Sequence, residues 1–252
     1  MIKGLYAAAS AMLAGINRQQ AIAHDVANLD TPGFKQVLTS LDDFKLTQIL
    51  KTNPNAMADP VSYLGMLGLG VESVKDSTDF SQGGLQDTGN EFDLAISGEG
   101  FFRVKTPAGE RYTRDGRFIK DALGNLTTVD GNQVLNSSGQ PIKLTDGETV
   151  IAPDGTITVN GVAAGQIGVA SFKEPKNELT RDGENTFTAT GAPTGTDKGP
   201  ISQGFLEMSN ANPTQLMTQL VEVSRSYEAA QQMVQNQDEL LGKTIASLGR
   251  IG

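Results

Sequence analysis

Few residues of this chain could carry out acid–base, nucleophilic or metal chemistry. The sequence has one histidine, His24, and no cysteine, so it has neither a second imidazole nor a thiolate to complete a metal site. A Ser-His-Asp site would have to use His24 as its base, and His24 lies in a segment that we predict below to be a long helix. Carboxylates are plentiful, but no spacing marks a catalytic pair, and tryptophan, a frequent sugar-stacking residue, is absent. We predict that the protein is not an enzyme and uses no cofactor and no metal.

Two glycine patterns resemble ligand-binding loops but are better explained as turns. Gly98 and Gly100 have the first spacing of a dinucleotide-binding loop, but the third glycine is missing and strand-like sequence follows. The repeated Asp-Gly and Asn-Gly pairs lack the spacing of a calcium loop and are typical of hairpin turns. These pairs include Asp115-Gly116, Asp130-Gly131, Asp146-Gly147, Asp154-Gly155 and Asn160-Gly161.

Charge and hydropathy exclude several classes of partner. The chain has 20 basic and 29 acidic residues and a net charge of −9, which argues against binding to nucleic acid or to an anionic membrane surface. No apolar run approaches the ~20 residues that a transmembrane helix requires. The N-terminus has a lysine followed by apolar residues, but these are spaced as a helical stripe, so we predict no cleaved signal peptide.

The first 35 residues predict a long helix with an apolar seam. Its members alternate in steps of three and four, which is the a/d pattern of a coiled coil: Ile2, Leu5, Ala9, Met12, Ile16, Gln19, Ala23 and Val26. We expect Asn28 to end this helix in the left-handed conformation. Pro32 and Gly33 then suit the centre of a type II turn.

A second long helix is predicted within residues 208–252. It should start at Asn212 and Pro213, which suit the cap and the first helical position. Its seam again alternates in steps of four and three and consists of Leu216, Leu220, Val223, Tyr227, Ala230, Val234, Gln237, Leu241, Thr244 and Leu248.

Between the helices, short runs of β-branched and aromatic residues are separated by turn signals every six to nine residues, which predicts antiparallel strands. The predicted divisions are helix 1–35, an extended connector 36–64, a β-rich outer domain 65–207 and helix 208–252. The fold class expected from this order is α+β, with the two long terminal helices forming a coiled-coil layer beside a mainly antiparallel β domain.

The terminal helices carry more apolar surface than their own pairing could cover, since Leu13, Met217, Val221, Met233 and Leu240 lie outside the two seams. Uncovered apolar surface indicates an interaction site, and a contact that does not close into a ring builds a helical tube. We predict a homo-oligomeric tube whose assembly interface comprises Leu5, Met12, Leu13, Ile16, Leu216, Leu220, Val223, Tyr227, Val234 and Leu241.

Three stretches resemble the bacterial flagellar rod and hook proteins. The first, in "AIAHDVANLDTPGFKQ", matches that family's N-terminal motif, and "ISGEGFFRV" with "YTRDGRF" is similar to the start of its β domain. The stretch "SNANPTQLMTQLVEVSRSYEAAQQMVQNQDELL" resembles its C-terminal motif. The matching motif positions are Ala27, Asn28, Thr31, Gly33, Phe34 and Lys35, and Ser209, Asn210, Asn212, Arg225, Tyr227, Glu228, Asp238 and Leu241.

This resemblance implies a structural subunit of the flagellar basal-body rod, without enzymatic activity, that assembles into a tube and transmits torque to the hook. The implied partners are further copies, other rod and hook proteins and the flagellar type III export apparatus. The implied location is the basal body in the periplasmic part of the cell envelope, reached without a cleaved signal peptide.

Several alternatives remain open at the level of sequence. The chain most resembles the distal-rod type of subunit, and the proximal-rod type and the hook type are alternatives within the family. From other classes, a secreted oligomeric adhesin or a carbohydrate-active enzyme could be built on the β domain. If the rod interpretation holds, we expect Gly33→Val to disturb assembly more than it disturbs the β domain.

Overall fold

The computed structural model describes residues 2–43, 46–52, 61–68, 70–73, 76–183, 185–194 and 198–248. Within these ranges the helices are α1 (Ile2–Ala27), α2 (Pro175–Glu178) and α3 (Pro213–Leu248). The helix α3 therefore begins where Asn212 and Pro213 predict that it should.

The described strands are short and numerous. In chain order they are β1 (Val37–Leu38), β2 (Leu41–Asp43), β3 (Leu46–Thr52), β4 (Val61–Gly68), β5 (Val71–Ser73), β6 (Ser77–Thr78), β7 (Leu85–Asp87), β8 (Leu94–Ile96), β9 (Phe101–Thr106), β10 (Gly109–Thr113), β11 (Phe118–Lys120), β12 (Leu126–Thr128), β13 (Gln133–Val134), β14 (Thr149–Ile151), β15 (Thr156–Val159), β16 (Val162–Gln166), β17 (Val169–Ala170), β18 (Leu179–Arg181), β19 (Thr186–Ala189), β20 (Ile201–Gln203) and β21 (Phe205–Glu207).

The chain divides into two units. Unit 1 consists of Met1–His24, Val37–Ser77 and Pro213–Gly252, and unit 2 consists of Asp25–Gln36 and Thr78–Asn212. Unit 1 contains most of α1, all of α3 and the paired strands β3 and β4. Unit 2 contains the remaining β structure from β7 to β21 and the segment that leads out of α1.

Unit 2 is built on an antiparallel sheet in the order β11-β12-β13-β9-β10-β19-β18, with β17 also paired to β9. The strands β14, β15 and β16 form a separate three-stranded sheet. Strand residues alternate between two faces, so the aliphatic side chains of one face gather into a core. That core includes Leu94, Ile96, Phe102, Val104, Phe118, Leu126, Val134, Ile142, Leu144, Ile157 and Val159.

The other face of the sheet carries an aromatic cluster. Phe101, Tyr112, Phe172 and Phe187 are buried there, with Phe80 packed against them. The rings meet edge to face, for example Phe80 and Phe187 at 5.2 Å between centroids, which is the arrangement that the ring quadrupoles favour. Burial also raises the pKa of the Tyr112 hydroxyl to about 12.

In unit 1, α1 and α3 lie side by side and run in opposite directions. A Cβ on Gly4 would lie 3.4 Å from the side chain of Gln237, and one on Gly15 would lie 3.8 Å from Tyr227. On α1 these glycines share a face with Ala8 and Ala11, because the four positions are three or four residues apart. The face of α1 that meets α3 is therefore a stripe of small residues.

The predicted coiled-coil layer is wrong. The molecule is mostly β structure with one helix at each end, and on α1 the predicted seam is largely on the surface, with Leu5 and Ile16 exposed. The apolar residues that α1 does bury are Ala8, Ala14 and Ile22. The heptad prediction was wrong because the contact with α3 is made by the small residues of α1. The large side chains of the predicted seam lie on other faces of the helix.

The end of α1 also differs from the prediction. Among the described non-glycine residues, only Asn160 and Asn185 have positive φ, so Asn28 is not a left-handed cap. The chain instead leaves the helix through tight turns in which the N–H groups of Asn28 and Leu29 donate to Asp25 and Val26 three residues earlier. Such bonds satisfy the last helical carbonyls without a left-handed residue.

The predicted connector 36–64 and the domain boundaries stay predictions. Residues 36–64 contain β1 to β3 and the start of β4, and β3 pairs with β4 in antiparallel register. Residues 53–60, which include the two prolines of the connector, lie outside the described residues. Among the residues that are described, no helix has both the length and the apolar character needed to cross a membrane.

Candidate functional site

The N-terminal motif enters unit 2 through a type II turn. The Thr31 carbonyl accepts a hydrogen bond from the Phe34 N–H at 3.2 Å, and Gly33 has φ +70°, which confirms the turn predicted for Pro32 and Gly33. The Gly33 N–H donates to the Glu207 carbonyl at 2.6 Å. A Cβ on Gly33 would lie 2.3 Å from the backbone carbon of Arg114, so only glycine fits at this position.

Lys35 follows this turn and is completely buried. Its ammonium donates to Glu207 Oε1 at 2.5 Å and to the Ser81 carbonyl at 2.7 Å. Removal of the ammonium from water lowers the pKa of Lys35, and Glu207 opposes that shift. The carboxylate partner is what makes the burial of this charge tolerable.

Glu207 is shared between two cations. Arg114 Nη1 donates to Glu207 Oε2 at 2.8 Å, while the Gly83 N–H donates to Oε1 at 3.1 Å. The same guanidinium donates to the carbonyls of Ile96 and Gly98, and its burial lowers the pKa of Arg114. We call Lys35, Arg114 and Glu207 the ion cluster.

Phe34 is fixed beside the ion cluster by a second arginine. The guanidinium of Arg181 lies 4.6 Å from the centroid of the Phe34 ring and 5.7 Å from that of Phe187, within the range of cation–π attraction. Arg181 also donates to the Lys35 carbonyl, and the Asn185 amide donates to the Pro32 carbonyl at 2.9 Å. Arg181 of β18 and Asn185, which precedes β19, thus hold the N-terminal motif from one side.

Asn210, from the C-terminal motif, holds the same segment from another side. Its Oδ1 accepts from the Gln36 N–H at 2.8 Å, and its amide donates to the Asp79 carbonyl at 2.9 Å and to Ser81 Oγ at 3.0 Å. Motif residues from the start, the middle and the end of the chain therefore meet at one place in unit 2.

The chemistry of this place is structural. The polar groups of Lys35 and Glu207 are occupied by hydrogen bonds inside the protein. The described residues contain no group of three or more His, Asp or Glu side chains that could hold a metal ion. The arrangement can lock two distant segments together, because loss of the Glu207 carboxylate would leave the buried cations Lys35 and Arg114 without their anion.

The predicted interface residues lie on the two long helices with different exposures. On α1, Leu5, Leu13 and Ile16 are exposed and Met12 is half-buried. On α3, Leu216 and Val223 are buried, and the half-buried predicted positions are Leu220, Tyr227, Val234 and Leu241. Their role in assembly stays a prediction.

The other motif positions are dispersed. Thr31 donates to Asn28 Oδ1 at 3.1 Å, and Ser209 Oγ accepts from the Ala211 N–H at 3.3 Å. The positions Ala27, Asn212, Arg225 and Glu228 are exposed. Of the motif positions, Gly33, Phe34 and Lys35 are the buried ones, and the others are half-buried or exposed.

The sequence alone did not identify Glu207, Arg181 or Asn185 as site residues. Arg114 was included only as a member of the β-domain motif "YTRDGRF". A signal was present for Glu207, which ends a strand after Phe205 and Leu206 and so lies in an apolar run. Nothing in local spacing indicates that its partner is Lys35, because 172 positions separate them.

Comparison with known proteins gives consistent matches along the chain. The family described as "Flagellar hook protein FlgE/F/G D1 domain" matches residues 95–159, and "Flagellar basal body rod FlgEFG protein C-terminal" matches residues 202–248. The first match covers much of the sheet of unit 2, and the second covers β21 and α3.

Full-length relatives have the same kind of name. The chain is 32% identical to the flagellar basal-body rod protein FlgF of Caulobacter vibrioides, with 96% of this chain and 99% of that protein covered. It is 33% identical to FlgF of Rhizobium meliloti, over 99% of both chains. It is 31% identical to FlgG of Bacillus subtilis, over 97% of this chain and 98% of that protein. The chain belongs to the flagellar basal-body rod protein family.

Proposed function

We propose that this protein is a structural subunit of the flagellar basal-body rod that assembles with further copies into a helical tube through α1 and α3. The observation that carries the proposal is the exposure of large apolar side chains on both helices. These side chains are Leu5, Tyr6, Leu13, Ile16, Met217, Val221, Met233, Leu240 and Ile245. The membership of the chain in the rod family supports the location of the tube.

Exposure of so many apolar side chains to water is energetically unfavourable for a monomer. Burying one Leu, Ile or Met side chain contributes roughly 1.5–3 kcal/mol. Leu13 is 65% exposed, although it lies in the middle of α1. Because the small-residue face of α1 meets α3, the large apolar side chains of α1 remain available to a neighbouring subunit, which is the favourable term that association requires.

Within the rod, we propose the distal position for this subunit, where it would transmit torque to the hook. The resemblance of the segment from Phe44 to Leu69, which lies partly outside the described residues, to the distal type supports this assignment, as does the 31% identity to FlgG of Bacillus subtilis. The proximal position is the second candidate, since FlgF proteins are among its full-length relatives. In either position the partners would be other rod and hook proteins, and the chain would reach the periplasm through the flagellar type III apparatus with its N-terminus uncleaved.

Genetic complementation tests the proposal. The gene is introduced into strains of its own species that lack either the distal or the proximal rod protein, and motility and basal bodies are examined. Restoration of the distal mutant alone supports the distal assignment, and restoration of the proximal mutant alone supports the second candidate. Electron microscopy of the concentrated protein should show tubes, and N-terminal sequencing of the assembled subunit should begin at Met1 or Ile2.

Variants on α1 supply the matched control. Leu13→Gln should abolish tubes and motility and leave the circular dichroism spectrum unchanged. Asn17→Gln, also at an exposed position of α1, should leave both intact. A protein that stays monomeric at high concentration and restores neither mutant would refute the structural role.

A further inference from the structure

Two short segments connect unit 2 to the long helices. The entry segment, residues 33–36, begins six positions after α1 ends at Ala27, and the exit segment, residues 207–210, ends three positions before α3 begins at Pro213. Tension applied through these ends of the two helices therefore enters unit 2 at one segment and leaves it at the other. The contacts of the two segments decide which bonds bear that tension.

The entry and exit segments are hydrogen-bonded directly to each other. The Gly33 N–H donates to the Glu207 carbonyl at 2.6 Å, and the Asn210 N–H donates to the Phe34 carbonyl at 3.4 Å. The Asn210 side chain adds a third bond, since its Oδ1 accepts from the Gln36 N–H at 2.8 Å. The residue numbers on both sides rise from the first bond to the second. The two segments therefore run in the same direction, as neighbouring strands of a parallel pair do.

Each segment is also fastened to the β structure of unit 2. Arg181 donates to the Lys35 carbonyl in the entry segment, and the Met208 N–H in the exit segment donates to the Gly84 carbonyl at 2.8 Å. The buried ion pair between Lys35 and Glu207 links the two segments through their side chains. These bonds keep the segments side by side when tension is applied.

The common direction of the segments decides how tension acts on the bonds between them. Tension pulls the entry segment toward its N-terminal end, which leads back to α1, and the exit segment toward its C-terminal end, which leads to α3. Because the segments run in the same direction, these two pulls oppose each other along the segments and load the bonds in shear. Bonds loaded in shear must break together, whereas bonds pulled at right angles to the segments break one after another. Forced unfolding is governed by the unfolding rate, which falls when several bonds must break in one step.

We propose that the entry and exit segments form a force-bearing clamp, in which tension passes from one segment directly to the other and does not load the large sheet. The role of the clamp rests on the proposed function, since a subunit that transmits torque must stay folded under load. The bonds that bear the load are the two backbone bonds, the bond from Gln36 to Asn210 and the ion pair of Lys35 with Glu207.

Single-molecule force measurement on the full chain tests the clamp. Because the chain has no cysteine, handles are attached at Ala27→Cys and Thr214→Cys, two exposed positions close to the clamp in sequence. The unfolding rate is measured at constant force, and the length of chain released identifies unfolding between the handles. Asn210→Ala in this background should raise that rate about tenfold or more, because it removes a hydrogen bond that bears load.

Ile157→Val is the matched control, because Ile157 is buried in the core of unit 2 and lies in neither segment. It should lower the stability measured by urea denaturation without load. Under load it should change the unfolding rate by less than about twofold, because core contacts are still intact when the clamp breaks. An unchanged rate in Asn210→Ala, or an equal increase in Ile157→Val, would overturn the clamp.

Two further measurements keep the test decisive. Circular dichroism without load shows whether Asn210→Ala is folded, and Asn210→Ser, which retains a hydroxyl in place of the amide, replaces it if it is not. The clamp is measured on single unassembled chains, so its failure is distinguishable from failure of assembly. Tubes formed by a chain whose clamp fails the test leave the proposed function intact, whereas absence of tubes refutes the assembly even where the rates support the clamp.

Discussion

The ammonium of Lys35 lies 2.5 Å from a carboxylate oxygen of Glu207, a residue 172 positions later in the chain. Both side chains are buried. This ion pair joins the segment that follows α1 to the last strand before α3, and Arg114 joins the same carboxylate to the middle of the sheet.

Removal of the buried ammonium should destabilise unit 2 strongly. In Lys35→Met, Glu207 keeps Arg114 but loses its second cation, and losing a hydrogen bond to a charged group typically costs about 1.5–3 kcal/mol. The measurement is the free energy of unfolding by urea denaturation, followed by near-ultraviolet absorption of the tyrosines. Lys120→Met, which removes an ion pair with the fully exposed Asp146, is the matched control and should cause a much smaller loss. Equal losses in the two variants would contradict the structural role of the ion cluster.

Gly33→Ala should also destabilise unit 2, for two separable reasons. Gly33 has φ +70°, and an added Cβ would lie 2.3 Å from the backbone of Arg114. Gly131→Ala is the control, because its φ is +84° and nothing lies within 4 Å of an added Cβ. Gly131→Ala should cost about 1–2 kcal/mol from backbone strain alone, and Gly33→Ala clearly more by thermal or urea unfolding. A smaller effect at Gly33 than at Gly131 would exclude the close approach.

Gly33→Val should act on unit 2 as well as on assembly, because of the close approach at Gly33. The sequence places Gly33 at the end of a helix and suggests that the substitution would act mainly on assembly. In the structure Gly33 belongs to unit 2 and contacts Arg114. We therefore expect Gly33→Val to destabilise unit 2 itself, and an unfolding curve of the unassembled protein separates this effect from any effect on tubes.

Acid should weaken the sheet in part through Glu110. Arg103 donates to both carboxylate oxygens, at 2.6 and 3.1 Å, and these hydrogen bonds hold the pKa of Glu110 below its ordinary value of 4.5. A carboxyl with a lowered folded-state pKa stabilises the fold above its unfolded-state pKa and loses that contribution as pH falls through the folded-state value. Because both side chains are partly exposed, the contribution is about 1 kcal/mol or less.

The variant Arg103→Gln checks the assignment. The free energy of unfolding, measured by urea denaturation between neutral pH and about pH 3, should fall less steeply with decreasing pH in this variant than in the parent protein. The reason is that the pKa of Glu110 is no longer lowered by Arg103. A pH dependence identical to that of the parent would show that this pair contributes nothing to acid stability.

Substitution of an exposed apolar residue on α1 should affect assembly, whereas substitution of a buried one should affect the stability of the subunit. Leu13→Gln should change the stability of the unassembled protein by less than about 0.5 kcal/mol, because the side chain is exposed. Ile22→Ala should cost about 2–5 kcal/mol, because Ile22 is buried. Circular dichroism during urea denaturation measures both changes, and sedimentation measures assembly. A destabilising Leu13→Gln would mean that Leu13 packs within its own subunit.

Local rules predicted the parts of the fold that depend on a few neighbouring residues. The start of α3 at Pro213 and the turn formed by Thr31, Pro32, Gly33 and Phe34 follow from side-chain and backbone chemistry within four residues. The antiparallel pairing in the large sheet follows likewise from short strands separated by turn residues.

The same local rules could not predict contacts between residues that are distant in the sequence. Heptad spacing ranked Leu5 and Ile16 as contact residues of α1, whereas α3 lies against the face with Gly4 and Gly15. The spacing of apolar residues indicates which side chains should be buried. It does not indicate whether they are buried within their own chain or against another subunit. The pairing of Lys35 with Glu207 had no local signal either, since buried charges are recognised only through their partners.

The ion cluster also sets the order in which the protein can fold. A chain that has emerged only as far as β19 carries Lys35 and Arg114 but lacks Glu207, and it cannot bury two cations without their carboxylate except at great cost. Unit 2 therefore closes only after β21 has arrived, when little more than α3 remains to follow. A fragment that ends before β21 should therefore fail to close unit 2, although it holds every strand of the large sheet.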